Sequence, residues 1–384
     1  MTLITRAYKT QLNPNRAQEE MLRKFAGSVR HVYNWGLAER KRLYEEEQKT
    51  LSHFDQCKLL TIYKQQPEVE WLNEVPVQAL QASLQNLDRG YKAFFRRVKK
   101  GEKPGFPRFK SRAHGLGGFK FFGTVHVTER TVKLPKIGWM RLHEKGYIPT
   151  GSLKIMSGAV TEKAGKWYIS LTVEEEREIP TPTGGVMAIH LGLRNLATVA
   201  CASLPGGILV IENPQTLLQH EQKLKRLQRW LSRTKPGSRN REKARKRLNK
   251  HHARITNIRQ NAIHEATTRL VRDIQPSRII IEDWDVKEMM QDGIFSKSIA
   301  DASWGEWWRQ VSYKCQWYGA ELVIMPRHFP SSKECSECEH FYEDFPLSQR
   351  IFVCPKCGMK KDRDHNAVAN LLKYNPEGMG GGQE

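Results

Sequence analysis

The sequence predicts an α+β chain of several domains: a small β-domain with helices inserted into it, then an α/β domain interrupted by a short metal ribbon. Three observations carry this. Val186 to Ala200, VMAIHLGLRNLATVA, is an apolar run, a Gly-containing bend and a second apolar run, which reads as a buried strand, a tight turn and an antiparallel partner. Two Cys-x₂-Cys pairs follow near the end, Cys335 with Cys338 and Cys354 with Cys357. Alternating stretches at residues 1–12 and again between Phe119 and Val173 flank a region of helical periodicity.

At 384 residues the chain exceeds what one core usually covers, so roughly two to four domains are expected. With 39% hydrophobic and 27% charged residues it reads as globular and soluble. No apolar run is long enough to span a bilayer and the opening MTLITRAYKTQLNPNR lacks a secretory core, so a cytoplasmic, nucleoid-associated protein without a membrane partner is expected. The 63 Lys and Arg against 41 Asp and Glu give a net charge of +22, and a pI near 9.7, which points to a polyanion. Nucleic acid is favoured over an anionic membrane because the cations are spread along the chain.

The chain opens with a strand that Asn13-Pro14-Asn15 breaks. Ala17 to Glu47 carries Leu22, Phe25, Val29, Val32 and Leu37 at helical spacing, and a second helix runs from about Ser52 to Gln65. Pro76 to Arg97 is a third, with Leu80, Leu84, Leu87, Tyr91 and Phe94 on one side. Its other side, Gln81, Gln85, Lys92, Arg96 and Arg97, is either a solvated face or a nucleic-acid surface. Lys99 to Arg112, KKGEKPGFPRFKSR, is a linker or a phosphate-binding loop. Glu174 to Pro182 reads as an acidic connector to the strand at 186.

From Glu221 to Arg259 the chain is helical and intensely basic, broken at Lys235-Pro236-Gly237-Ser238 into a hairpin that continues through Leu270. From Glu221 to Arg259 the acidic residues are Glu221 and Glu242 alone, so Arg226, Arg229, Arg233, Lys235, Arg245 and Arg247 are candidate phosphate contacts. Ser303 to Tyr318 makes another helix, whose tryptophans suit core anchors, and Ala320–Met325 a strand. Residues 375–384 look like a disordered tail.

Ile279 to Asp283 repeats the pattern of Val186–His190, an apolar strand ending in a polar side chain, and Lys361 to Ala367, KDRDHNA, places acids at a helix start. Side by side, these put His190, Glu282 and Asp364 at one point. Three carboxylates there would be the ligand set of an RNase H-like, two-metal nuclease centre, with two Mg²⁺ about 3.5–4 Å apart. Histidine stands in the first place. Imidazole offers one neutral nitrogen and cannot bridge two ions that prefer oxygen ligands, so Mg²⁺ is not expected to bind productively.

The cysteine pairs have the spacing of a closed tetrathiolate zinc ribbon, a structural site. Cys57, Cys201 and Cys315 are isolated and read as small core residues or inert thiols.

The segments RAYKTQLNPNRAQEEML, ISLTVEEE, MAIHLGLRNLATVA, IIIEDWDVKEM, DASWGEWWRQVSYKCQWYGAELV, PRHFPSSKECSECE and CPKCGMKKDRDHNAVANLL together resemble the TnpB family, the insertion-sequence-encoded ancestors of type V CRISPR effectors. The resemblance spans nearly the whole chain. It implies a wedge-like β-barrel (1–14 and 98–180) with an inserted helical recognition lobe (15–97). A RuvC-like domain of RNase H fold follows (181–333 and 359–374, its basic hairpin at 215–270) with the zinc ribbon at 334–358. It also implies a monomeric ribonucleoprotein in which a guide RNA pairs with double-stranded DNA beside a short adjacent motif. Glu282 and Asp364 match the family's second and third acidic residues, Asp362 being the lesser candidate, and His190 replaces the first. The expectation is a guide-directed binder that represses transcription by occupancy. The alternatives are an active or laboratory-inactivated endonuclease, and an RNA-binding protein that sequesters its element's transcript.

Overall fold

In the computed structural model, residues 1–122, 125–151, 154–291, 293, 295–327, 329–346 and 349–374 are described. The tail at 375–384 lies outside them. The chain divides into two compact units, Met1–Arg177 and Glu178–Glu384.

The first unit begins with β1 (Thr2–Asn13), then α1 (Arg16–Glu47), α2 (His53–Tyr63) and α3 (Val77–Lys99). β2 (Gly118–Phe122), β3 (His126–Val127), β4 (Thr131–Leu134), β5 (Gly138–Leu142), β6 (Lys154–Lys163) and β7 (Lys166–Arg177) complete it. The helix starts are locally encoded: Asn15 and Ser52 each accept from the N3 backbone while the N3 side chain, Gln18 or Asp55, reaches back to the cap. β1 closes onto β7 in a long antiparallel ladder from Thr2 opposite Arg177 to Leu12 opposite Trp167. One core holds Leu22, Phe25 and Val29 of α1 together with Phe119, Phe121, Ile169 and Leu171 of the sheet.

Two sequence expectations change here. The seven strands run in the order β2-β6-β7-β1-β5-β4-β3, and among the described residues no ladder joins β2 to β3, so the sheet is open where a barrel was expected. The acidic connector begins later than Glu174, because β1 extends β7 to Arg177 by pairing, with Glu174 held by Lys154 at 2.7 Å.

The second unit contains β8 (Gly184–Leu191), β9 (Asn195–Cys201), β10 (Ile208–Glu212), α4 (Thr216–Gln219), α5 (Glu221–Arg233) and α6 (Arg239–Thr268). Then come β11 (Pro276–Glu282), α7 (Val286–Gln291), α8 (Ser296–Ala302), α9 (Trp304–Tyr318), β12 (Glu321–Met325), β13 (Ile351–Val353), β14 (Lys360–Asp362) and α10 (Arg363–Lys373). Five strands form a sheet in the order β10-β9-β8-β11-β12. β8 is antiparallel to β9, while β8, β11 and β12 run parallel.

The period of two along these strands decides which residues meet. Met187, Ile189, Ile279 and Ile281 point to the face covered by α6 and α9, in one cluster with Ile263, Trp304, Trp307 and Val311. Ala188 and Ile280 point to the other face, in a cluster with Val368 and Leu371 of α10. His190 and Glu282, two residues further along their strands, share that second face. The small side chains of Ala188 and Ala200 leave room for α10, which carries Asp364.

Candidate functional site

Parallel register sets Ile281 beside Ile189, so the next residues, Glu282 and His190, are neighbours at the carboxyl end of the sheet. His190 Nδ1 lies 2.7 Å from a Glu282 carboxylate oxygen. His190 Nε2 lies 3.8 Å from Asp364 Oδ1. All three are buried. Asp362 is occupied otherwise: its side chain caps α10 by accepting from the N–H groups of Asp364 and His365, which fixes Asp364 in the first turn.

The two carboxylates are already satisfied by the protein. The Ser331 hydroxyl donates to the second oxygen of Glu282. Arg363 comes within 3.4 Å of Asp364 Oδ1 and Arg350 within 3.9 Å. Burial by itself pushes the His190 imidazole down, but the charge and hydrogen bond of Glu282 and the charge of Asp364 outweigh it and hold His190 above its ordinary value. The arrangement is a histidine between two carboxylates that favour its protonated form, with arginine on the far side of one. Sequence reading named the three convergent residues and missed Ser331, Arg350 and Arg363. Only Arg363, adjacent to Asp364, carried a local signal.

The cysteine cluster differs in kind. The sulfur atoms of Cys335, Cys338, Cys354 and Cys357 all lie within 4.8 Å of one another. Cys335 and Cys357 sulfurs are 3.6 Å apart, and those of Cys338 and Cys354 3.5 Å. Four thiolates about 2.3 Å from a tetrahedral ion sit about 3.8 Å from each other, so the cluster can hold a metal ion. The two knuckles repeat one geometry. In each, the first cysteine's N–H donates two residues beyond the second cysteine, to His340 at 3.0 Å or Met359 at 2.9 Å. In each, the residue after the second cysteine has a left-handed backbone, φ 59° at Glu339 and 72° at Gly358. Burial raises the Cys354 thiol, but N–H groups of Cys357 and Lys356 and the Cys338 thiol bring it down to about 6.

The ribbon is tied to the sheet site. β14 runs directly into α10 through Asp362, the Arg363 N–H donates to the Arg350 carbonyl at 2.8 Å, and Asn366 and Asn370 donate to the Glu334 carbonyl at 2.6 and 2.7 Å.

The basic hairpin forms as expected, α5 against α6, with Arg226, Arg229, Arg233, Lys235 and Arg247 exposed and Arg245 half-buried near Glu242. Arg247 also lies over the Trp230 ring, 5.1 Å from its centre. Arg241, which sequence reading did not single out, clamps the turn by donating to the carbonyls of Leu231 and Thr234. On α3 the outcome is mixed. Arg96 is exposed, Gln81 and Gln85 are half-buried, and Lys92 is engaged with Asp88 at 2.9 Å. Among the described residues, no helix is long and apolar enough to cross a membrane.

Three family models match the chain: one described as a probable transposase over residues 169–292, a Cas12f1-like TNB domain over 304–371, and a helix-turn-helix domain over 1–49. The last region is a strand and a single 32-residue helix here. Two relatives carry the name "Putative RNA-guided DNA endonuclease". One, from Streptomyces pristinaespiralis, is 33% identical across 97% of this chain and 90% of its own length. The other, InsQ of Escherichia coli strain K12, is 32% identical across 95% and 91%. In fold, the chain resembles the protein of a Cas12f1–sgRNA–target DNA complex, with a TM-score of 0.59 at 13% identity over 98% of this chain and 99% of that one.

Proposed function

We propose that this chain, which belongs to the TnpB family, is a guide-RNA-directed DNA-binding protein that acts on its target by occupying it. The observation that carries the reading is the contact of His190 with Glu282, 2.7 Å across, at the place where a metal-bridging carboxylate would stand.

On this reading the sheet of the second unit is a RuvC-like, RNase H-type core, and His190, Glu282 and Asp364 are its vestigial triad. A two-metal centre needs a carboxylate that shares its oxygens between both ions. The donor set does not fit that requirement. His190 commits Nδ1 to Glu282 and adds no carboxylate, and the remaining partners are the Ser331 hydroxyl on Glu282 and Arg363 and Arg350 near Asp364.

Binding does not depend on those ions. The cations of the hairpin and of α3 neutralise phosphates, and base pairing between guide and target strand supplies the sequence reading, after recognition of a short motif in the duplex. The region 15–97 would serve as recognition lobe and the open sheet as the wedge. Cys335, Cys338, Cys354 and Cys357 would hold zinc as a structural ion, with no ligand position left for substrate. A guided protein that melts its site and stays there blocks a polymerase, which makes it a transcriptional repressor.

The names of the relatives favour a second reading, an active cutter, and one experiment separates the two. The protein is purified with its bound RNA, the RNA is sequenced, and a matching duplex is presented with Mg²⁺ to wild type and to His190→Asp. Binding without cutting by the wild type, and cutting by His190→Asp, is expected. Cutting by the wild type overturns occupancy, and a wild type that holds RNA but binds no duplex leaves only sequestration of a transcript.

A further inference from the structure

The loop after α3 does more than link. Its buried Pro107 anchors the segment, and Phe106 is laid against the end of α3, with its ring 5.4 Å from Tyr91 and 5.3 Å from Phe94. Phe94 in turn meets Phe95 at 5.2 Å. These rings line a groove of about 630 Å³ whose other wall is the C-terminal part of α1 with Lys41 and Tyr44. Large aromatic faces are left open to solvent: Phe95 is 58% exposed, Phe106 42%, Phe109 54% and Tyr44 55%. Such a patch is uncommon on a surface with no partner.

Charge says what kind of partner it fits, with Lys41 and Lys49 lining the groove beside one carboxylate, Glu45. Lys41 Nζ sits over Phe106 and Phe109 alike, 5.4 and 5.2 Å from their ring centres. Arg96, Arg97, Lys103 and Arg108 are exposed on the same stretch that supplies the rings. Cations that hold a phosphate backbone, interleaved with rings presenting their faces, suit a strand whose bases are unstacked and free to lie on them. A duplex keeps its base faces covered by its own stacking, so it can use the cations but not the rings. An apolar protein segment could use the rings but would leave the cations without partners.

We propose that the Tyr91–Phe94–Phe95–Phe106 groove is a stacking platform for unpaired nucleotides, which grips single-stranded nucleic acid and discriminates against duplex. The proposal rests on the reading that this chain handles a guide RNA, and adds a second, base-directed contact to it. Phe106 and Phe109 are held in place by the proline-flanked loop, so little side-chain freedom is lost when bases stack on them.

The full-length chain is titrated with an oligoribonucleotide carrying 2-aminopurine, with the matching DNA strand, and with their duplex. Quenching of both single strands and not of the duplex is expected. Phe95→Ala with Phe106→Ala should weaken single-strand binding roughly tenfold or more, abolish the quench, and leave duplex binding within about twofold. Phe95→Tyr with Phe106→Tyr should retain both signals, which guards against a mere folding defect. An alanine variant that binds and quenches single strands like the wild type overturns the platform and assigns the groove to an apolar protein segment. If that variant still carries its RNA and finds a matched duplex, the guide reading stands without the platform. A wild type that carries no RNA yet quenches the free strand fails the guide reading and keeps the platform.

Discussion

The second unit holds two clusters of metal-type donors, and they differ in what the donors touch. In the ribbon, thiol sulfurs meet one another at 3.5–3.6 Å, with backbone N–H groups beside them. At the sheet site, each carboxylate meets a positive or hydroxylic group of the protein: His190 and Ser331 on Glu282, His190, Arg363 and Arg350 on Asp364. A donor is available to an ion to the extent that the chain has not already satisfied it. The ribbon is therefore organised for a cation to arrive, and the sheet site is organised around a histidine whose protonated form its carboxylates favour.

The strongest way to break this contrast is to empty the ribbon. The purified chain should carry about one zinc per molecule by elemental analysis, and Cys338→Ser with Cys354→Ser should lose it. Structural zinc contributes on the order of 10 kcal/mol to folding in small metal-bound modules. The variant should therefore be cut by protease between residues 334 and 358 while the first unit resists. Because β14 feeds α10 through the Asp362 cap, the loss should also loosen Asp364. A chain that holds no metal, and whose protease pattern is indifferent to chelation, would remove the ribbon from its side of the comparison.

The next test converts the sheet site into the ribbon's kind. His190→Asp removes the histidine from between two buried carboxylates and adds a third. Breaking such a buried pair typically costs about 3–5 kcal/mol, so the variant should melt well below the wild type in chelator. Mg²⁺ should then restore part of that stability, by about 2.7 kcal/mol at a hundredfold excess over its dissociation constant, while leaving the wild type unmoved. A wild-type melting temperature that climbs with Mg²⁺ would mean that the histidine yields to metal, and the contrast would fall.

How much of this was legible beforehand follows from the range of each interaction. Period-two patterning was enough to bring His190 and Glu282 to one end of one sheet, since apolar runs fix which strands are buried and where each run stops. The cysteine spacing is local and was equally plain; the capping boxes at Asn15 and Ser52 are just as local but went unread. What escaped notice is set by tertiary contact. Ser331 and Arg350 come from segments remote from their carboxylates, and no periodicity marks them. β10 follows a Gly-rich turn and is too short and half-exposed to announce itself. The open ends of the first sheet depend on ladder partners that alternation does not specify. Lys92 is a different matter, because Asp88 lies four residues earlier on the same helix and the spacing alone predicts the pair.

The smallest effect probes whether the two knuckles are as alike as their hydrogen bonds. Each requires a left-handed residue after its second cysteine; one has Gly358 and the other Glu339. A Cβ at Gly358 would meet nothing within 4 Å, so the backbone angle and not crowding is what favours glycine there. Glu339 pays the left-handed penalty of an L-residue, of order 1 kcal/mol, and its contact with Lys373 at 3.5 Å joins two well-exposed side chains and contributes little. Glu339→Gly should therefore stabilise the ribbon by roughly 0.5 kcal/mol, the glycine's added freedom in the unfolded chain offsetting part of the relief. Gly358→Ala should destabilise it by about 1 kcal/mol. Both are read from the chelator concentration that removes half of the zinc. If Glu339→Gly surrenders zinc more readily than wild type, the glutamate makes a contribution that the backbone geometry does not contain, and the two halves of the metal site are not equivalent.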